Sequence, residues 1–104
     1  MILTTSSFVA GKEVKKTFGV VRGNTVRARN LGRDILAAFK NLVGGEIEEY
    51  TKLMAESREQ SIDRMIEQAK ALGANAIIDI DFSTSYIMQN AAEILVYGTA
   101  VLVE

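Results

Sequence analysis

Arg22, Arg27 and Arg33 stand five and six residues apart in a stretch, residues 12–33, that carries seven cations against one acid, Glu13. Guanidinium groups recognise carboxylates and phosphates through paired N–H donors. The chemistry these residues suggest is capture of a small anionic ligand, with Tyr50 as the fourth candidate contact. A solvated, salt-bridged face is the plainer alternative for the same charges. Asp79 and Asp81 are the second constellation. Residues i and i+2 of a strand share a face, which makes the two carboxylates weak candidates for a hard-cation site. Two carboxylates still fall short of the roughly six to eight oxygens that Ca²⁺ takes. As an acid–base pair they lack company, because Ser83, Thr84 and Ser85 follow with no base beside them.

The zeros in the composition exclude more than the motifs include. The chain has no Cys, His, Trp or Pro. Thiolate nucleophiles, imidazole bases, disulfides and zinc fingers are therefore absent from it. Soft metals prefer thiolate, thioether or imidazole, and the only sulfur here is in the scattered Met1, Met54, Met65 and Met88. No nucleophile–base–orienter set can be assembled, so no catalytic residue, enzymatic activity or cofactor is expected.

With 104 residues, 48 % hydrophobic and 24 % charged, the chain reads as one folded domain over 1–104. Its net charge of −1 gives no general attraction to nucleic acid or anionic membrane. The basic stretch also lacks the interleaved aromatics of a base-stacking platform. No apolar run approaches the length of a membrane span. Met1-Ile2-Leu3 passes directly into Thr4, Thr5, Ser6 and Ser7, unlike a secretory signal, so a cytoplasmic location is expected.

Particular elements must position these residues. Residues 2–9 read as a short strand. Val14 to Arg22 reads as a second, and Gly23-Asn24 carries the signature of a tight II′ hairpin turn, with Thr25 to Arg29 returning antiparallel. That register would place Phe18, Val20, Arg22, Thr25, Arg27 and Arg29 on one face. Whether residues 12–18 form a strand or an extended arm stays open. Apolar residues at three- and four-residue spacing predict a short helix over 33–43, closed by Gly44-Gly45. A long helix follows from Glu46 to Leu72, with Glu46, Glu48 and Glu49 near its positive end and Gly73 as its stop. Its apolar stripe includes Met54, Ile62, Met65, Ile66 and Ala69. Ser57 and Ser61 interrupt that stripe and are small enough for close packing.

Residues 74–87 read as a strand with Ala76, Ile78, Ile80 and Phe82 on one face and Ile77, Asp79 and Asp81 on the other. Gln89-Asn90 occupies the next turn, and residues 93–103 form a last strand. That strand is apolar on both faces, with Ile94, Val96, Ala100 and Leu102 against Leu95, Tyr97, Val101 and Val103. Such a strand must be covered twice, and one helix covers one face. A second copy of the chain is the simplest cover for the other. The order of elements predicts an α+β fold with an antiparallel sheet on one long helix.

Seven short motifs in order bear on identity: Gly19-Val20-Val21-Arg22-Gly23, Arg33-Asp34, Val43-Gly44-Gly45, Tyr50, Ala71-Leu72-Gly73-Ala74-Asn75-Ala76, Gln89-Asn90 and Tyr97-Gly98-Thr99-Ala100-Val101. Together they resemble the YbjQ-like family, of uncharacterised function and labelled "putative heavy-metal-binding". The resemblance implies a dodecin-like β-α-β-β subunit with short accessory strands. It also implies a ring-shaped homo-oligomer, a pentamer. The heavy-metal label conflicts with the absence of Cys and His.

Overall fold

The computed structural model describes residues 1–28, 45–88 and 91–104. Their elements are β1 (Ile2–Leu3), β2 (Val14–Ala28), α1 (Gly45–Leu72), β3 (Ala76–Met88) and β4 (Ala91–Val103). The strands form one sheet in the order β1-β3-β4-β2. Pairing is antiparallel at β2–β4 and β3–β4. The short β1–β3 pair is parallel, which the expected antiparallel sheet did not include. The fold is mixed α+β, with one long helix among the described residues. β1 is shorter than the strand expected over 2–9. The helix expected over 33–43 and the Gln89-Asn90 turn lie outside the described residues.

α1 forms and stops for local reasons. It has no Pro, and straight-chain helix formers dominate its sequence. At Gly73, φ is +92°, a conformation open to glycine. The Gly73 N–H donates to the Lys70 carbonyl at 3.0 Å and the Ala74 N–H to the Ala69 carbonyl at 3.1 Å. Those two bonds make a Schellman stop. Ser57, Ser61, Met65 and Ala69, at four-residue steps, are fully buried against the sheet.

The hairpin at Gly23-Asn24 does not form. β2 runs straight through it and pairs with β4 over its whole length, Gly23 beside Val96 and Asn24 beside Leu95. The glycine serves a different need. A Cβ at position 23 would overlap the Ser61 carbonyl oxygen and lie 2.7 Å from the Met65 nitrogen. Gly23 is where the helix backbone presses against the strand. Around it, the Thr25 hydroxyl donates to the Ser57 carbonyl at 3.0 Å and meets the Ser61 hydroxyl at 2.9 Å. Burial of these polar groups is tolerable because each is hydrogen-bonded. The Arg22–Thr25 pairing that a hairpin requires is thus replaced by Arg22 beside Tyr97 and Thr25 beside Ile94.

β3 carries a bulge that reverses its faces. Ile78 pairs with Thr99 and Asp81 with Tyr97, so Asp79 and Ile80 together oppose Gly98. Asp79 takes φ of +53°. Its N–H donates to the Ser6 carbonyl at 2.9 Å, and the Ile80 N–H donates to the Thr4 carbonyl at 3.2 Å. Ile77 and Ile80 therefore both join the core under α1, while Ala76 and Ile78 face the opposite side. This corrects the simple alternation expected for residues 74–87. Aspartate tolerates the left-handed region; a β-branched residue does not. Asp79→Gly is expected to leave stability unchanged or raise it by up to about 1 kcal/mol. Asp79→Val should lower it by about 1–2 kcal/mol. Urea midpoints of the two variants check this; an unchanged midpoint for Asp79→Val would argue against the bulge.

The doubly apolar β4 is half-covered by its own chain. Ile2 and Val9 of the N-terminal segment pack on Ala76, Ile78, Val101 and Val103. The segment was not anticipated in that role. Further along the same face nothing among the described residues lies over Val20 and Val26, which are 75 % and 52 % exposed.

Candidate functional site

Strand alternation decides which expected site residues meet. Val21, Gly23 and Thr25 are buried toward α1, whereas Val20, Arg22, Asn24 and Val26 occupy the exposed face. The backbone of Arg27 pairs with Ala92, and its side chain lies outside the described residues. The straight strand replaces the hairpin on which the expected one-faced basic ribbon rested. Arg33 lies outside the described residues. Tyr50 belongs to the first two turns of α1, and its side chain is likewise outside the description. Among the described side chains, then, Arg22 alone of the four can be placed.

Arg22 has neighbours that the sequence did not announce. The register sets it beside Tyr97, and Tyr97 beside Asp81. Cation, phenol and carboxylate thus stand in one row across three strands of the open face. The Tyr97 hydroxyl donates weakly to Asp81 Oδ2 at 3.4 Å, and Asp81 Oδ1 accepts the Phe82 N–H at 2.8 Å. Only the bulge makes this row, because it moves Asp81 into register with Tyr97. A pattern of residues cannot reveal that shift.

Asp79 and Asp81 are separated in role by the same bulge. Asp79 sits at its left-handed position, held through its backbone by Ser6, and Asp81 faces Tyr97. The shared strand face expected of them does not exist. No group of three or more His, Cys, Asp or Glu capable of holding a metal occurs among the described residues. With no thiolate or imidazole in the whole chain, the donor set does not fit a soft metal.

A groove of about 400 Å³ lies on the other side of the sheet, between the N-terminal segment, α1 and β3. Ile62, Met65, Ile80 and Phe82 supply apolar walls, and Thr4 and Thr5 are its polar members. Among the described residues no charged side chain lines it. Among the described residues no helix is long and apolar enough to cross a membrane.

Asn75 is a structural residue that sequence reading passed over. Its side-chain amide donates to the Val103 carbonyl at 2.8 Å and accepts the Val103 N–H at 2.8 Å. It thereby imitates one more rung of the β3–β4 ladder.

Comparison with known proteins follows the same outline. A family profile described as "Putative heavy-metal-binding" matches residues 1–104. The chain is 56 % identical over 104 residues to a UPF0145 protein of Dehalococcoides mccartyi, covering all of both chains. It is 57 % identical over 101 residues to a UPF0145 protein of Halorubrum lacusprofundi, covering 97 % of each. Among solved structures it is similar to a protein of unknown function from Pediococcus pentosaceus, assigned to the DUF74 family. The TM-score is 0.67 at 19 % identity, covering 100 % of this chain and 98 % of that one. That likeness concerns the fold.

Proposed function

The chain belongs to the YbjQ (UPF0145) family, and from that premise we propose that it is a small self-assembling module, not an enzyme, holding a small anion where copies meet. One observation carries this reading: half of the apolar sheet face has no cover from the described residues of its own chain. Val20 is 75 % exposed, Val26 52 % and Tyr97 38 %, with Arg22 between them. Contiguous exposed apolar surface around a charged row is what interfaces leave behind when a single copy is viewed alone. A second copy of the chain would bury Val20 and Val26 and draw the Arg22 guanidinium to the boundary. Arg27, Arg33 and Tyr50 remain the other proposed contacts of the ligand. The pentameric ring and the dodecin-like subunit follow from the resemblance, and a cytoplasmic location is proposed with them. Metal carriage is disfavoured by the donor set, and no step is assigned to a metal.

Substitution on the open face tests the reading. Val20→Glu should convert the assembly to a folded species of 11.4 kDa, because a buried unpaired carboxylate costs several kcal/mol. Light-scattering mass and circular dichroism read the two halves of that outcome. An assembly of unchanged mass would remove Val20 from the interface. Arg22→Ala should abolish any rise of melting temperature with added phosphate; a rise equal to that of the unaltered protein would sink the anion site.

A further inference from the structure

β2 is the last strand of the sheet, and its far edge meets no other strand among the described residues. Fifteen residues of open ladder invite pairing with another chain. In an antiparallel pair, alternate residues turn N–H and C=O toward the partner strand and the residues between turn theirs away. Arg22 and Asn24 are of the second kind. The Arg22 N–H donates to Gln68 Oε1 at 2.8 Å. The Asn24 carbonyl accepts a hydrogen bond from Arg64 Nη1. Arg64 and Gln68 lie one turn apart on α1, so one helix face reaches the sheet edge with an acceptor and a donor. They stand where the C=O and N–H of a fifth strand would stand.

We propose that Arg64 and Gln68 form an edge lock that keeps β2 closed to strand addition, and that the strand it excludes is β2 of a second copy. Two β2 edges meeting antiparallel about a two-fold axis at Gly23 would set Arg22 of one copy beside Asn24 of the other. Each Arg22 N–H would then donate to the opposing Asn24 carbonyl. Those are the two main-chain groups that Gln68 and Arg64 occupy. The side chains of that register permit pairing: Val20 falls beside Val26, and no two like charges face each other between residues 20 and 26. The lock therefore blocks a pairing that the strand's own sequence permits. Assembly through the sheet face, as proposed above, leaves this edge free, so edge pairing would add to that assembly.

The test is Arg64→Ala with Gln68→Ala, compared with the unaltered protein by light scattering over a wide concentration range. Two hydrogen bonds of ordinary net strength on each copy, four per pair, no longer compete, so edge association should tighten by roughly 1000-fold. It would appear as a doubling of whatever mass the unaltered protein shows at the same concentration. Superimposable mass curves would overturn the proposal. Amide hydrogen exchange of Gln68→Ala decides the matter even if the double variant fails to fold. The Arg22 amide should exchange about tenfold faster while the Val21 amide, turned toward β4, keeps its rate. An Arg22 amide that exchanges as slowly as before would show that Gln68 does not hold the edge.

Discussion

Gly23→Ala is expected to lower the melting temperature by more than about 10 °C. The added methyl group has nowhere to go, because the atoms it meets are backbone: the Ser61 carbonyl oxygen and the Met65 nitrogen at 2.7 Å. A crowded side chain can turn to another rotamer, whereas a helix backbone must move as a body. Lifting α1 by even 1 Å would stretch the Thr25 hydroxyl away from Ser57 and Ser61 and leave buried polar groups partly unpaired. Overpacking of this kind costs about 3 kcal/mol or more, and each kcal/mol shifts a domain of this size by roughly 4–8 °C. Thermal melts at one fixed protein concentration check it, since assembly makes the midpoint concentration-dependent. Were Gly23 a turn residue, alanine would cost about 1 kcal/mol or less, so a small shift would contradict the close approach.

Met65→Ala should cost about 2–5 kcal/mol, the range for emptying a large buried side chain. Met65 is fully buried at the centre of the core that Val21, Ala69, Ile77, Val96 and Ala100 share. It also forms part of the groove wall beside Ile62, Ile80 and Phe82. Small neighbours limit collapse into the vacated space, because Ala69 and Ala100 have little to offer it. Met65→Leu, which conserves volume, should cost under about 1.5 kcal/mol. Urea unfolding of both variants separates packing from any chemistry of the thioether. Equal losses for alanine and leucine would point to a role for the sulfur that the core position does not suggest.

Much of the fold was legible in the sequence because its signals are local. The stripe of Ser57, Ser61, Met65 and Ala69, the stop at Gly73 and the doubly apolar β4 each follow from residues near one another. The misreadings have one physical origin. Gly23-Asn24 looks like a turn because glycine is equally at home in a tight hairpin and in a strand pressed by a helix. Only the packing partner, far away in sequence, distinguishes the two. The bulge at Asp79 is similar: Asp79 carries no glycine to mark it, and its consequence, Asp81 beside Tyr97, depends on register with β4. The edge contacts of Arg64 and Gln68 join residues 40 and 46 positions apart in the chain. For the candidate site, the sequence located Arg22 but not its neighbours Tyr97 and Asp81, because the straight β2 pairs with β4 instead of folding back on itself.

The central claim is that a second copy covers the open half of the sheet face, and the mass of the protein in solution tests it most directly. Light scattering should give a multiple of 11.4 kDa, near five times that value if the ring implied by the resemblance forms, and chelation should leave it unchanged. A mass of 11.4 kDa at all concentrations would contradict it, leaving Val20, Val26 and Tyr97 exposed with no partner to explain them.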